Sequence, residues 1–296
     1  MNAPADSYYL PHESRWSILG SIGLFAFMLG AGVWLDGHDL VGPLIMGIGV
    51  LCIIWTQFGW FSTVIRESLT GRYNPQVDRT FRWGMIFFIF SEVMFFGAFF
   101  GTLFYERLFV VPWIGGAGNM FFTHALLYPH YRALWPTNGP AHAGGEFVRM
   151  PTWGIPALNT LILLSSAVTV TWALWALKAG NRRKVIAGLV ATIALGVTFL
   201  GMQAHEYYLA YTHFNLTLHS GIYGATFFLL TGFHGLHVTI GVIMLTVILI
   251  RVLQGHFTAE RHFAFEAVSW YWHFVDIVWL FLFPLLYLIN RHPLAH

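Results

Sequence analysis

The sequence predicts an all-α polytopic membrane protein with seven transmembrane helices, its N-terminus inside and its C-terminus outside. The first observation is compositional: the 296 residues are 57% hydrophobic and only 9% charged, against about 25% charged in average soluble chains. The apolar residues also come in runs long enough to cross a hydrocarbon core of ~30 Å, unlike the short alternating segments of a β-barrel. The second observation is charge placement. With the N-terminus inside, the inner segments hold Arg15, Arg66, Arg72, Arg79, Arg82, Lys178, Arg182, Arg183, Lys184, Arg251 and Arg261, and the outer segments hold only Arg107, Arg132, Arg149 and Arg291. That bias follows the positive-inside rule, and an odd number of spans makes it self-consistent.

The expected spans are residues 16–35, 40–65, 82–105, 153–177, 185–212, 219–250 and 263–290, within a single membrane domain 1–296. The first follows a polar segment of mixed charge with no basic region leading into a short apolar stretch, so it is read as a retained span and not a cleaved signal. The second contains Cys52, the lone cysteine, which excludes an intrachain disulfide and reads as a buried apolar side chain. It ends in Arg66 and Glu67, and an arginine-rich link leads to Arg82. Besides positive-inside anchoring, this link suits phosphate coordination of bound phospholipid, so Trp60, Arg66, Glu67, Arg82 and Arg251 are read as lipid-binding. A net charge of +2 is too small to imply a nucleic-acid partner.

The third span carries Glu92 near its middle, roughly 15 Å from Arg82 along a helix. A charge at that depth costs at least ~2.5 kcal/mol, and a membrane carboxylate is a functional hypothesis by default. A protonated, hydrogen-bonded structural role is the alternative. The long outer loop, 106–152, is rich in glycine and proline, and its stretch FFTHALLYPHY suits a short interfacial helix. Its histidines, His124, His130 and His142, match no ligand spacing. In the fifth span Glu206 sits in the outer third beside two tyrosines, where it either snorkels outward or caps the adjacent span; no catalytic role is assigned to it.

The sixth span contains GFHGLHV. His234 and His237, three residues apart, share a helix face, and Gly221, Ala225, Gly232, Gly235 and Thr239 cluster on another, which is expected to pack tightly. Haem or metal ligation is set against neutral imidazoles bonded to neighbouring helices. Two histidines on one helix rarely supply both axial positions, and no other run completes a metal site, so the second reading is preferred and no metal is assigned. In the last span Glu266, Trp270 and His273 lie on one stripe, and His273 and Asp276 are spaced for a charge-assisted pair. Pro284 is expected to bend the helix or loosen its outer turn. His234, His237, His273, Asp276, Glu266 and Glu206 thus form the candidate intramembrane polar network.

Taken together, VIRES (64–68), RWGMIFFIFSEVMFF (82–96), EYY (206–208), GIYGATFF (221–228), TGFHGLHV (231–238) and HFAFEAVSWYWHFVDIVWLFL (262–282) resemble cytochrome c oxidase subunit III, in the family's order through spans two to seven. The resemblance implies helices 1–2 separated from helices 3–7 by a V-shaped lipid cleft. It implies subunits I and II of an aa3-type oxidase as partners, with haem a, haem a3 and the copper centres held by those subunits and none by this chain. Bound phospholipids are implied as well, and further respiratory complexes are left open as partners. The family's intramembrane glutamate maps onto Glu92, in support of proton uptake or of the structure around the active site. Ser62 and Thr63 stand where members often carry Arg-Asp, and Tyr73 stands where a histidine is common. The outer loop is longer than in mitochondrial members, which suggests a bacterial cytoplasmic membrane. The alternatives are a free-standing proton-coupled transporter, a b-type cytochrome, or a subunit III-like protein of a quinol oxidase or nitric oxide reductase. The transporter lacks a visible internal repeat, and the last two relatives tend to have five helices.

Overall fold

The computed structural model describes Tyr9 and residues 14–289; Asn290 and Arg291, part of the expected seventh span and outer charge set, lie outside the described residues. Among the described residues seven helical spans are long and apolar enough to cross a membrane: Trp16–Leu35, Val41–Leu69, Pro75–Ile114, Ile155–Lys178, Arg182–Thr212, Gly221–Leu253 and Phe263–Leu288. In chain order the helices are α1 (Trp16–Leu35), α2 (Val41–Leu69), α3 (Pro75–Tyr105), α4 (Val111–Ile114), α5 (Phe121–Leu127), α6 (Ile155–Lys178), α7 (Arg182–Thr212), α8 (Gly221–Leu253) and α9 (Phe263–Leu282). The chain divides into two compact units, Met1–Trp83 and Gly84–His296, with the division inside α3.

Several helices outrun their apolar stretches. The third starts at Pro75, not at residue 82, because Asn74 Oδ1 accepts the Val77 backbone N–H at 2.9 Å while Pro75 takes the first helical position. Its polar first turns are braced by Asp78 and Arg82, 2.8 Å apart. Hydropathy marks where a helix is greasy, whereas capping marks where it begins. The same span continues past Tyr105 through a π turn, Glu106–Val110, into α4, so the outer connection is shorter than 106–152. Pro112, which lacks an N–H, sits just beyond that π turn, and Pro284 sits within a second one, Phe283–Leu288. Gly180, at φ +71°, ends α6, and Asn181 Oδ1 accepts from the Lys184 N–H to open α7, so a turn of three residues joins the two helices.

In the first unit α1 and α2 form an antiparallel hairpin. Gly23 and Gly30 on α1, and Gly42 and Gly49 on α2, are each seven residues apart and line the contact. An added Cβ at Gly42 would lie 2.5 Å from the Trp34 backbone nitrogen, and one at Gly30 or Gly49 would strike the backbone of Met46 or Phe27. Small residues at the seam let two backbones touch, the means by which helices associate where lipid removes the hydrophobic drive.

The second unit is built on α6–α9, with the 84–105 part of α3 packed against α8 and α9. Trp272 of α9 is wholly buried at its centre. Its ring fills the space left by Gly196 of α7 and Gly241 of α8, where added Cβ atoms would lie 2.7 and 2.8 Å from it. Its indole N–H donates to Ser166 Oγ of α6 at 2.9 Å, and Trp279 one level further out donates to Thr160 Oγ1 at 3.0 Å. Each buried indole therefore has its single donor satisfied.

The packing of α8 meets one expectation only in part. On the small-residue face an added Cβ at Gly221 would strike the Asn138 carbonyl and one at Gly232 would lie 3.6 Å from the Tyr207 hydroxyl, but one at Gly235 would meet nothing within 4 Å and Thr239 is exposed. His234 and His237 face the interior with Tyr223, Phe227, Leu230, Val238 and Leu245, and so do Gly224 and Gly241. Leu236, Ile240 and Ile243 are exposed.

Candidate functional site

Glu92 of α3 meets His237 of α8. Glu92 Oε2 lies 2.9 Å from His237 Nε2, and the other ring nitrogen, Nδ1, donates to the Phe233 carbonyl one turn back at 2.6 Å. A carbonyl only accepts, so Nδ1 carries a hydrogen. If the ring is neutral, Nε2 accepts and the Glu92 carboxyl is the donor; if the ring is charged, the carboxylate accepts. In either state the pair holds one proton between the two side chains. Phe95, Phe96, Tyr271 and Phe274 surround the imidazole with ring centroids 5.0–6.5 Å away. The Tyr271 hydroxyl donates to the His237 carbonyl at 3.4 Å. Glu92 keeps 21% of its side-chain surface exposed and His237 keeps 10%, so the carboxyl is open on one side of an otherwise aromatic enclosure.

The other expected network residues are distributed among separate contacts. His234, fully buried, bonds through Nε2 to the Val275 carbonyl at 3.2 Å and packs its ring between Phe199 and Trp279. Although it shares a face with His237 and both meet α9, His234 turns to α7 where His237 turns to α3. Glu206 is fully buried as well; it accepts from the Tyr287 hydroxyl at 2.7 Å and neither snorkels nor reaches the outer surface. His273 Nε2 bonds Thr171 Oγ1 at 3.1 Å, and its Nδ1 lies 3.7 Å from Asp276 Oδ2, an ion-pair separation longer than a hydrogen bond. Glu266 lies 3.9 Å from His262, one turn before it. Among the described residues, no group of three or more His, Cys, Asp or Glu side chains is placed to hold a metal ion. In the outer connection His124 Nδ1 is bonded to the Ile114 carbonyl and His142 lies 3.0 Å from Glu146.

The residues read as lipid-binding also occupy distinct settings. In the first unit Trp60 is half exposed and stacked on Phe61, and Arg66 is exposed. Glu67 has both oxygens engaged: Tyr9 donates to Oε1 and Tyr73 to Oε2, each at 3.0 Å. Arg72 Nη1 donates to the Tyr9 hydroxyl at 3.3 Å. Burial, and then the Glu67 carboxylate beside it, push the Tyr73 phenol well above its ordinary value. Arg82 is tied to Asp78. Thr63 accepts from the Trp16 indole at 3.2 Å, so the position where a charge pair is common holds a neutral helix-to-helix bond. In the second unit Arg251 is 9% exposed, with its guanidinium 4.5 Å over the Phe257 ring.

Sequence reasoning named Glu92 and His237 separately and left them unpaired, because helix proximity is not contained in spacing. It passed over Asn159 and Gln203, both buried and polar in the middle of apolar runs. Scanning every span for isolated amides would have found them. Tyr9, in the polar N-terminal segment, carried no signal of its own.

The family model described as cytochrome c oxidase subunit III matches residues 6–290. Cytochrome c oxidase subunit 3 of Cyprinus carpio is 39% identical over 284 residues, covering 96% of this chain and 97% of the relative. The subunit 3 proteins of Arabidopsis thaliana and Triticum aestivum are each 42% identical over 282 residues, covering 95% of this chain and 96% of the relative. With a match over nearly the whole chain and all seven spans in place, the chain belongs to the cytochrome c oxidase subunit III family and so to the membrane part of a multi-subunit respiratory oxidase.

Proposed function

We propose that this chain is subunit III of an aa3-type cytochrome c oxidase, a subunit without redox centres that stabilises the catalytic subunit and supports its proton uptake during reduction of oxygen to water. The observation that carries the reading is the Glu92–His237 pair. It places a one-proton site, partly open on the carboxyl side, at mid-span. A carboxyl hydrogen-bonded to an imidazole at that depth supports a role in proton supply over a purely structural one. The pair can exchange a proton with a donor on its open side, but it holds no electron acceptor of its own.

On this reading subunits I and II are the partners and hold the haem and copper centres. Phospholipid is bound through Trp60, Arg66, Glu67, Arg82 and Arg251. The whole chain acts as one seven-helix membrane subunit, with the N-terminus inside, as the placement of the basic residues supports. The membrane is the bacterial cytoplasmic membrane, a choice resting on the length of the outer connection.

The test is Glu92→Gln in the intact oxidase. The amide can still donate to His237 Nε2, so the complex is expected to assemble. Proton uptake or the number of turnovers before inactivation is expected to change. Unchanged turnover, pumping and lifetime would make Glu92 a structural residue only.

A further inference from the structure

We propose that Asn159, Gln203, Glu206 and His234 together bind ordered water in the interior of the α6–α9 bundle. None of the four is used by the Glu92–His237 pair, and all are at least nine-tenths buried.

The contacts between helices place them at nearly one level. Thr169 of α6 bonds Thr192 of α7 at 2.8 Å. Asn159 lies ten residues before the first and Gln203 eleven after the second, so on antiparallel helices they stand level to within about 1.5 Å. Between α7 and α8 the Tyr207 hydroxyl bonds Thr231 Oγ1 at 2.7 Å, and Gln203 and His234 lie four residues before and three after these partners. The Phe199–His234 ring contact, with centroids 5.5 Å apart, confirms that level from one turn below Gln203. Glu206 follows Gln203 by three residues on the same buried stripe of α7.

Six polar atoms in this layer have no hydrogen-bond partner among the described residues: both amide atoms of Asn159, both of Gln203, Oε2 of Glu206 and Nδ1 of His234. Buried amides and carboxyls in such number carry a desolvation penalty that no neighbouring side chain offsets. Even reciprocal pairing of the two amides, each carbonyl accepting from the other's NH2, would leave Glu206 Oε2 and His234 Nδ1 as they are. Water, which donates two bonds and accepts two, suits a layer offering donors and acceptors from three helices. Buried waters in proteins typically make about three such bonds. Tyr287 completes the setting by occupying the other oxygen of Glu206, which leaves Oε2 for the water.

The test is a density map of the intact oxidase sharp enough to show ordered water. The expected result is at least one peak within hydrogen-bond distance, about 2.7–3.2 Å, of Glu206 Oε2 or His234 Nδ1 and of an Asn159 or Gln203 amide. A layer in which these side chains bond one another directly, with no peak between them, overturns the proposal. Gln203→Leu, close to glutamine in volume, is expected to remove a peak and lower the melting temperature of the complex; an unchanged or higher melting temperature would overturn it. Glu206→Gln preserves shape and hydrogen bonding. It is expected to assemble and keep its water peak, so the proposal stays testable if the leucine variant does not assemble; loss of order in the layer without any peak in the parent would overturn it.

Discussion

His237 is held at both ring nitrogens: Nδ1 donates to Phe233 O at 2.6 Å and Nε2 meets Glu92 Oε2 at 2.9 Å. The first bond dictates the tautomer, and the tautomer dictates that the second carries one proton.

Replacing the ring therefore differs in effect from replacing the carboxyl. His237→Phe leaves Glu92 without a partner in a mostly enclosed position, at a cost of about 1–3 kcal/mol. A lower melting temperature of the complex checks this, together with a change in proton uptake similar to that of Glu92→Gln. The double variant Glu92→Leu/His237→Phe is expected to be less destabilised than the sum of its two single changes, because making both positions apolar removes the unsatisfied group.

Trp272 occupies space that exists only because two neighbours lack side chains. Gly196→Ala places a methyl 2.7 Å from the ring and Gly241→Ala places one 2.8 Å away. Each is expected to destabilise the α6–α9 bundle by about 1–3 kcal/mol through overpacking, measured as detergent-induced dissociation or thermal loss of the complex. Trp272→Phe makes room but leaves Ser166 Oγ without its indole donor, and a further loss of about 1 kcal/mol is expected from that bond.

The α1–α2 hairpin depends on glycine contacts with backbone. Gly49→Val pushes a branched side chain into the Phe27 backbone, which cannot yield as a flexible side chain would. The expected outcome is separation of α1 from α2, read as faster proteolysis within residues 36–40. Gly47→Ala, at a site with nothing within 4 Å, is the matching control and is expected to leave cleavage unchanged.

The clasp of Tyr9 and Tyr73 on Glu67 makes an alkaline prediction. A phenol whose pKa is raised in the folded state contributes stability that is fully present below its unfolded value of about 10 and is lost as pH rises through the folded value. Stability is thus expected to be insensitive to Tyr73 near neutrality and to fall above about pH 10, less steeply in Tyr73→Phe. Stability measured against pH for both forms checks this. At neutral pH Tyr73→Phe is expected to cost about 0.5–1.5 kcal/mol for the lost bond to Glu67.

Much of the architecture is legible in the sequence, because a membrane forces apolar residues into long helices that no soluble context would produce. The seven spans follow from that one constraint. Their ends do not, since the start at Pro75 is set by the Asn74 cap and the end at Leu253 by the turn through Gly255, at φ +77°, which hydropathy ignores. The histidines of α8 show the same limit more sharply. Their shared face was readable from a spacing of three, but which helix each would meet depends on packing by α3, α7 and α9, and the small-residue face of that helix is packed over only part of its length. Glu92 was legible as an anomaly because one charge among apolar residues is costly wherever it points. Asn159 and Gln203 were overlooked because a neutral amide gives a weaker signal than a charge, although it is nearly as demanding once buried.

The two π turns, Glu106–Val110 and Phe283–Leu288, lie in the same unit, and Arg107 Nη2 donates to Ile289 O at 3.0 Å to join their ends. A π turn houses one residue more than an α-helical turn would. Deleting a single residue within 106–108 would thus let the turn close into regular α form while the residues beyond it keep about their present orientation. Trp113 would stay beside Tyr105, and the membrane-crossing part of α3 would be unchanged. The outer end of this span is therefore a place where the fold can absorb a change of one residue in chain length.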